Sequence, residues 1–501
     1  MVKASFFCIL IKLVIGLPVA CNMKLKKIIE EGFITMLSFD AACFIKVFVE
    51  EIDKSIKSLN HQAKLSNAQK TWLNFCLTGI LLTNGICWAK FQRCFLGRYT
   101  DQALSWMFRQ GKIDWNLLLI TSVKQILLSY GITEGQLVLD EVDRARCKFT
   151  KRIYKTYKQK DKKTGGYVNG QTVVFLLLVT SSVTIPVSFA FYQPDPELSA
   201  WKKQDAQLKK KGIVRQNRPP APERNPAYPK KLELAMNLLH DFAKNHGDIK
   251  VLAIMADALY GEGDFMDKAS ALFGNVQVIS QLRKNQNIFY KGKKRSLEEY
   301  FSSINKGVEQ NLTVRGGKTI KAVISSARLK VDAHGKKRLV VALKYEGESE
   351  YRYLVATCLS WRTIDVVQGY TLRWLIEVFF EDWKLYEGWG REARQFDEEG
   401  AVRGLILSLL LDHALLLHPE QKARLENKLP AYTVGSLMRL SQIESLLEFI
   451  KLILELKNPH KKLQELTKLI KDVFKLRQSD KHMIGRDIGR LESTPSLIYK
   501  T

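Results

Sequence analysis

The sequence predicts an α/β protein, a mixed sheet with helices packed on it, flanked by helical regions at both ends. Two observations predict this. Strand-like apolar runs succeed one another at QLVLDEV (136–142), TVVFLLLVTSS (172–182) and VTIPVSFAFY (183–192). A helical pattern, KLELAMNLLHDFAKN (231–245), then precedes a further strand, IKVLAIMAD (249–257). Three strands, a helix and a strand in that order give a mixed sheet rather than a helical bundle or a sandwich.

A chain of 501 residues is longer than one hydrophobic core sustains, so several substructures are expected. Residues 1–35 form an apolar extension. MVK followed by ASFFCILIKLVIGLPVAC has the basic start and apolar middle of a secretory signal, but at ~16 residues it is short for a membrane span. A start codon at Met23 or Met36 instead of Met1 explains it equally well. Residues 36–133 read as helical, with turns near Gly79, Gly85, Gly97 and Gly111. Within them GRYTDQALSWMFRQGKIDW (97–115) fits a helix capped by Thr100 and carrying Leu104, Trp106 and Met107, either a DNA-reading helix-turn-helix or an ordinary helical hairpin.

The core begins at 134 and runs to 284. Two basic stretches interrupt it and read as loops: 144–163, with Lys151, Arg152, Lys155, Tyr154 and Tyr157, and 202–231, whose Pro219, Pro220, Pro222, Pro226 and Pro229 exclude regular structure. Residues 285–350 read as a β-rich insertion. The core resumes over 351–420 with YLVATCL (353–359) and a long helix from Thr363 to Glu387. The run Leu405–Leu417, broken by Asp412 and His413, reads as a buried helix rather than a membrane span. Residues 421–501 are helical, suited to oligomerisation or to covering the core.

Charge narrows the function. With 78 Lys+Arg against 51 Asp+Glu the formal charge is +27, which calls for an anionic partner. Nucleic acid is the expected one, because phosphate neutralisation gives affinity regardless of sequence; a membrane surface is the rival. The eight cysteines show no paired CxxC spacing, which argues against zinc fingers and a disulfide framework and fits reduced, mostly buried thiols in a cytoplasmic protein.

Three acids stand out. Asp140 closes the strand QLVLD, sharing a face of the pleat with Val138, and Asp257 ends VLAIMA at the carboxyl edge where α/β sheets bind ligands. Asp143 competes with Asp140 for the first place. In Tyr370-Thr-Leu-Arg373-Trp374-Leu-Ile-Glu377, continuing to Lys384, the offsets 0, 3, 7 and 14 put Tyr370, Arg373, Glu377 and Lys384 on a ~60° stripe of one helix. Leu372, Ile376, Phe379 and Trp383 fall on the opposite face. Such a stripe is either a set of structural ion pairs or a carboxylate presented between cations.

This helix resembles the Y-(2)-R-(3)-E-(6)-K signature of the insertion-sequence-four family of DDE transposases, and each position is filled. VLDEVDRARCK and IMADALYG, the latter followed by a strand and Leu282-Arg283, resemble the family's first two catalytic segments, over roughly residues 60 to 420. One departure is that Val142 follows the acidic pair where the family commonly has Thr. The resemblance implies an RNase H-like core and a metal-dependent endonuclease and strand transferase that works by cut-and-paste transposition. Asp140, Asp257 and Glu377 would be catalytic and hold two Mg²⁺ ions, with Mn²⁺ as a substitute. Tyr370, Arg373, Lys384, Trp374 and Arg283, with Lys151, Arg152 and Lys155 of the basic loop, would contact DNA. The implied partners are transposon terminal inverted repeats, target DNA and a second copy in a synaptic complex, with no membrane. A catalytically inactive DNA-binding derivative and an RNase H-like nuclease without transposition are the alternatives.

Overall fold

Strand β1 (Glu134–Ala145) shows why a sheet forms here: Leu137 and Leu139 are buried on one face, Val138 and Val142 on the other. Both faces of the pleat are therefore covered. The computed structural model describes residue 38 and residues 40–59, 63–146, 150, 152–161, 164–303, 306–313, 318–388 and 395–474. The apolar run within 1–22 and the basic residue Lys151 lie outside them.

Among the described residues five helices precede the sheet: α1 (Cys43–Leu59), α2 (Asn67–Thr83), α3 (Trp88–Cys94), α4 (Asp101–Gln110) and α5 (Trp115–Ser129). Their starts follow capping chemistry. Ser66 and Gln69 form a capping box on α2, the Thr100 hydroxyl accepts from the Ala103 N–H, and the Asp114 carboxylate accepts from Leu117. Leu104 is buried, whereas Trp106 faces solvent. Gly97 and Gly111 lie at turns as expected, but Gly79 does not: it sits inside α2, where the Phe91 ring packs so closely that an added Cβ would come within 2.5 Å of it. Glycine serves helix packing at that point, not a turn.

The core of the sheet has the order β4–β3–β1–β5–β6, with β3 (Tyr167–Val179) antiparallel to both β4 (Thr184–Tyr192) and β1. β1 is parallel to β5 (Lys250–Ala256), which is parallel to β6 (Gln277–Leu282). Three antiparallel strands followed by two parallel ones form an RNase H-like mixed sheet. Short β2 (Tyr157–Lys160) also pairs with β3, so part of the basic stretch 144–163 is strand rather than loop, and β1 itself runs on to Ala145. The second basic stretch departs from expectation too. Helix α6 (Pro196–Lys210), started by Asp195 as cap and Pro196 in its first turn, extends through residue 210, because the first of the interrupting prolines is Pro219. Helix α7 (Lys231–Asn245) follows it.

Beyond β5 come α8 (Gly263–Leu272), β6, β7 (Asn287–Tyr290), β8 (Lys293–Ser296), α9 (Leu297–Ser303), β9 (Val308–Thr313), β10 (Thr319–Val331), β11 (Lys336–Tyr345) and β12 (Arg352–Ala356). The segment 285–350 is β-rich as expected, yet it does not interrupt the sheet. β12 lies antiparallel to β6, with Tyr353 opposite Leu282, and β11, β10, β7 and β8 continue outward, so all twelve described strands belong to one sheet. One apolar cluster lies on the Leu137 face under α7 and α8; a second lies on the Val138 face under the later helices.

The expected continuous helix 363–387 is two: α10 (Thr363–Thr371) and α11 (Trp374–Leu385). The Thr371 hydroxyl donates to the Gln368 carbonyl, the acceptor that the Leu372 N–H would otherwise use. The backbone then tightens to three-residue bonds: Leu372 N–H to Gly369, Arg373 N–H to Tyr370 and Ile376 N–H to Arg373. Four further helices follow among the described residues: α12 (Glu398–Leu416), α13 (Pro419–Glu426), α14 (Val434–Leu454) and α15 (Pro459–Val473). α12 is buried almost throughout from Gly404 to Leu415, as read for the run 405–417, and no single described helix is long and apolar enough to cross a membrane. Of the described cysteines, which form no disulfide, only Cys76 and Cys94 are buried.

Candidate active site

Asp140 lies in the interior of β1, paired across from Phe175 of β3, and not at the strand's end. Its face is the one on which Phe379, Phe380 and Trp383 of α11 pack against Phe175, so the packing of α11 fixes what stands over Asp140. Deleting a buried ring such as Phe175 would cost about 3–5 kcal/mol. The parallel register of β1 and β5 pairs Leu139 with Ala256, and its next step sets Asp140 beside Asp257. Asp257 begins the 3₁₀ turn Ala258–Tyr260, and the Ser280 hydroxyl on β6 holds its carbonyl at 2.7 Å.

Glu377 arrives from α11 through Arg373. One guanidinium nitrogen donates to Asp140 Oδ2 at 2.9 Å and another to Glu377 Oε1 at 2.6 Å, so a single cation spans two acids from different elements. The Asp140 carboxyl is pushed up to about 7 by burial, with the charge of Asp257 adding and Arg373 opposing. Two donors beside these acids, Arg373 Nε and the Tyr370 hydroxyl, are buried without a hydrogen-bond partner, and the guanidinium carbon stands 5.7 Å from the centre of the Tyr370 ring.

The structure thus links Asp140 to Glu377 through Arg373 and sets Asp257 and Tyr370 beside Asp140. Asp143 is an odd number of residues from Asp140, points to the other face of β1, and accepts from the Thr172 hydroxyl at 2.6 Å. Glu141, also on that face, was not singled out by the sequence. It accepts from Lys231 at 2.8 Å and from the Tyr260 hydroxyl at 3.1 Å, tying β1 to α7 and to the turn that Asp257 begins. Nothing in its spacing marked it, since its partners lie 90 and 119 residues away.

The DNA-contact candidates are spread more widely. Trp374 is 61% exposed next to Arg373. Arg283 is exposed just past β6, on the same carboxyl edge as Asp257. Lys384 lies half-buried in the last turn of α11, with the break at Leu372–Arg373 between it and Tyr370, so the four signature residues do not share one regular helix. Arg152 is exposed, but Lys155 is half-buried, donates to the Phe191 carbonyl at 3.1 Å, and has its ammonium pKa lowered by burial.

As they stand, these residues do not fit a metal ion: among the described residues no group of three or more His, Cys, Asp or Glu side chains is gathered to hold one. The guanidinium of Arg373 holds Asp140 and Glu377 in its place.

No family model and no curated protein matches the sequence. Among solved structures, the chain is similar to the piggyBac transposase in its synaptic complex with hairpin DNA, at 11% identity over 88% of this chain and 86% of that one, with a TM-score of 0.38. It is also similar to Endonuclease V of Ciona intestinalis bound to inosine-containing DNA (11% identity, 50% of this chain and 86% of that one, TM-score 0.21) and to the Drosophila P element transposase strand transfer complex (13% identity, 52% and 55%, TM-score 0.21).

Proposed function

We propose that this chain is a DNA transposase of the cut-and-paste kind, a cytoplasmic member of the insertion-sequence-four group of DDE enzymes that cuts at transposon ends and joins them to target DNA. The observation that carries the reading is the placing of three acids: Asp140 on β1, Asp257 directly after the parallel neighbour β5, and Glu377 on the helix packed over them, with one guanidinium linking Asp140 to Glu377. A chain of formal charge +27 supplies the electrostatics for a duplex.

Asp140, Asp257 and Glu377 are the groups that would hold two Mg²⁺ ions, or Mn²⁺ in their place, once Arg373 has released them. Bound there, such ions would supply activation of a water and charge stabilisation at a phosphodiester. The protein's own residues position the strand. Arg373 offers a planar fork to a phosphate, Tyr370 an unused hydroxyl, and exposed Trp374 a face on which an extruded base can stack. Arg283 on the sheet edge and Arg152 on the basic segment extend the phosphate track. The active form is a homodimer that pairs two transposon ends.

The test is incubation with duplexes carrying the inverted repeats that border the gene, with Mg²⁺ and without. Nicking at the repeat followed by joined products supports the transposase. Nicking without joining favours an RNase H-like nuclease, and binding without nicking an inactive DNA-binding derivative.

A further inference from the structure

We propose that Arg373 is a resident cation that excludes metal from the carboxylates until a DNA phosphate draws it away, so that DNA binds first and metal second. This rests on the reading of Asp140, Asp257 and Glu377 as the metal site.

The guanidinium uses two of its nitrogens on Asp140 and Glu377, at 2.9 and 2.6 Å, and those are two of the three carboxylates that would hold a metal. A divalent ion and a guanidinium repel each other and compete for the same oxygens, so both cannot be held there together. The Asp140 side chain is only 13% exposed, and a buried carboxylate stripped of its cation beside Asp257 is strongly disfavoured, so departure of Arg373 opens Asp140 to another cation, a proton or a metal.

The structure also indicates what receives the arginine. Its Nε is buried without an acceptor, and so is the hydroxyl of Tyr370, itself 8% exposed. Two neighbouring donors with no outside acceptor match the oxygens of a phosphodiester, which the Nε side of the guanidinium can engage as a fork. The backbone at Arg373 lies at the break between α10 and α11, held by three-residue bonds rather than by a regular helix, so the side chain is rooted where the chain is least constrained. By linkage, whatever DNA contributes to metal affinity, metal contributes equally to DNA affinity.

The experiment measures Mn²⁺ binding, by the loss of the free-ion magnetic resonance signal, for wild type, Arg373→Gln and Arg373→Lys, each with and without end duplex. Asp257→Asn run in parallel gives the contribution of the duplex itself, and a thermal melt confirms folding. Without DNA, Arg373→Gln should bind Mn²⁺ about tenfold more tightly than wild type, within the usual range of such couplings, and Arg373→Lys, which keeps the charge but loses the fork, should fall between them. Duplex should tighten wild type and leave Arg373→Gln unchanged. Equal affinity of wild type and Arg373→Gln without DNA would overturn the exclusion while leaving the metal site intact. Absence of Mn²⁺ binding in every protein, with and without duplex, would overturn the metal site and this inference with it.

Discussion

Asp140 on β1 and Asp257, the residue that follows β5, stand one step of register beyond the pair Leu139 and Ala256. Asp140 is interior to its strand and the Ser280 hydroxyl of β6 holds the Asp257 carbonyl, so the sheet positions both acids. Replacing Asp140, Asp257 or Glu377 by Ala should reduce cleavage of an end duplex about a hundredfold or more, the low end for a group that acts in the transition state. DNA binding should persist. Asp143→Ala should keep its activity, because Asp143 faces Thr172 on the far side of β1. Full cleavage by Asp257→Ala would remove the assignment.

Glu141 makes the complementary case. It touches neither Asp257 nor Glu377 but fixes the Asp140 segment to α7 through Lys231 and to the Asp257 turn through Tyr260. Glu141→Gln keeps one acceptor for Tyr260 and loses the ion pair. The mutant should lower kcat while leaving the KM for DNA within about twofold, the pattern of a misplaced site rather than of weakened DNA binding. A rise in KM with kcat unchanged would instead mean that Glu141 shapes the DNA surface.

How far the sequence reached is visible in these residues. The alternation Leu137, Val138, Leu139 announced a strand covered on both faces, and the apolar run ending at Asp257 announced its neighbour, because burial writes a period of two into the chain. The strand ends were less legible. Hydrogen bonding carries β1 through Glu141, Asp143 and Arg144, which have no apolar pattern of their own, so Asp140 read as an end when it is interior. The helix break at Leu372–Arg373 was hidden for a related reason: a single hydroxyl, Thr371, redirects the backbone without altering the apolar spacing. The continuity of 285–350 with the main sheet depends on pairing Tyr353 with Leu282, a contact across 71 residues that no local period encodes.

The basic segment divides into residues that hold the fold and residues open to DNA. Lys155 caps the Phe191 carbonyl and adopts φ +47°, whereas Arg152 and Lys158 are exposed, Lys158 lying over the Tyr167 ring at 4.5 Å. Arg152→Ala with Lys158→Ala should flatten the salt dependence of DNA binding by ~0.9 in log–log slope for each phosphate no longer neutralised. Lys155→Met should leave the slope alone and lower the melting temperature. An unchanged slope in the double variant would show the segment to be merely solvated.

Stability should depend on pH through a second acidic site. Glu387 and Asp412 of α12 are buried together, paired through a proton on one of the two carboxyls, and burial pushes the Asp412 carboxyl up to about 7 and Glu387 upward as well. A carboxyl whose pKa is raised on folding is neutral in both states at low pH. Above its unfolded value of 3.8 the unfolded chain alone sheds the proton, so stability is present below that value and declines until the folded group ionises near 7. The melting temperature should fall between pH 4 and pH 7, and Glu387→Gln with Asp412→Asn should flatten that fall. A wild-type melting curve independent of pH over this window would contradict the buried, protonated pair.

Two copies of the chain should pair through α14. Helix α14 is apolar on two faces. Leu437, Met438, Phe449 and Ile453 pack inward, while Leu440, Ile443, Leu447 and Leu454 are exposed and, with half-buried Ile450, follow one another at spacings of 3, 4, 3 and 4. That is the seam of a two-stranded coiled coil. An antiparallel pairing centred on Leu447 would set Leu440 against Leu454 and Ile443 against Ile450 of the second copy. It would also place Glu444 opposite Lys451 twice over, so the surface is complementary to itself, as a twofold contact requires. Sedimentation should therefore show a dimer that Glu444→Lys or Lys451→Glu alone weakens and the two together restore. Under mild oxidation Leu447→Cys should link two chains beyond the wild-type background. Leu440→Cys should do so only when combined with Leu454→Cys. A Leu447→Cys variant that stays monomeric with its introduced thiol open to thiol reagents would show this face to be bare, and one that stays monomeric with that thiol protected would show it to be covered by the chain's own residues. Either result would rule out this contact.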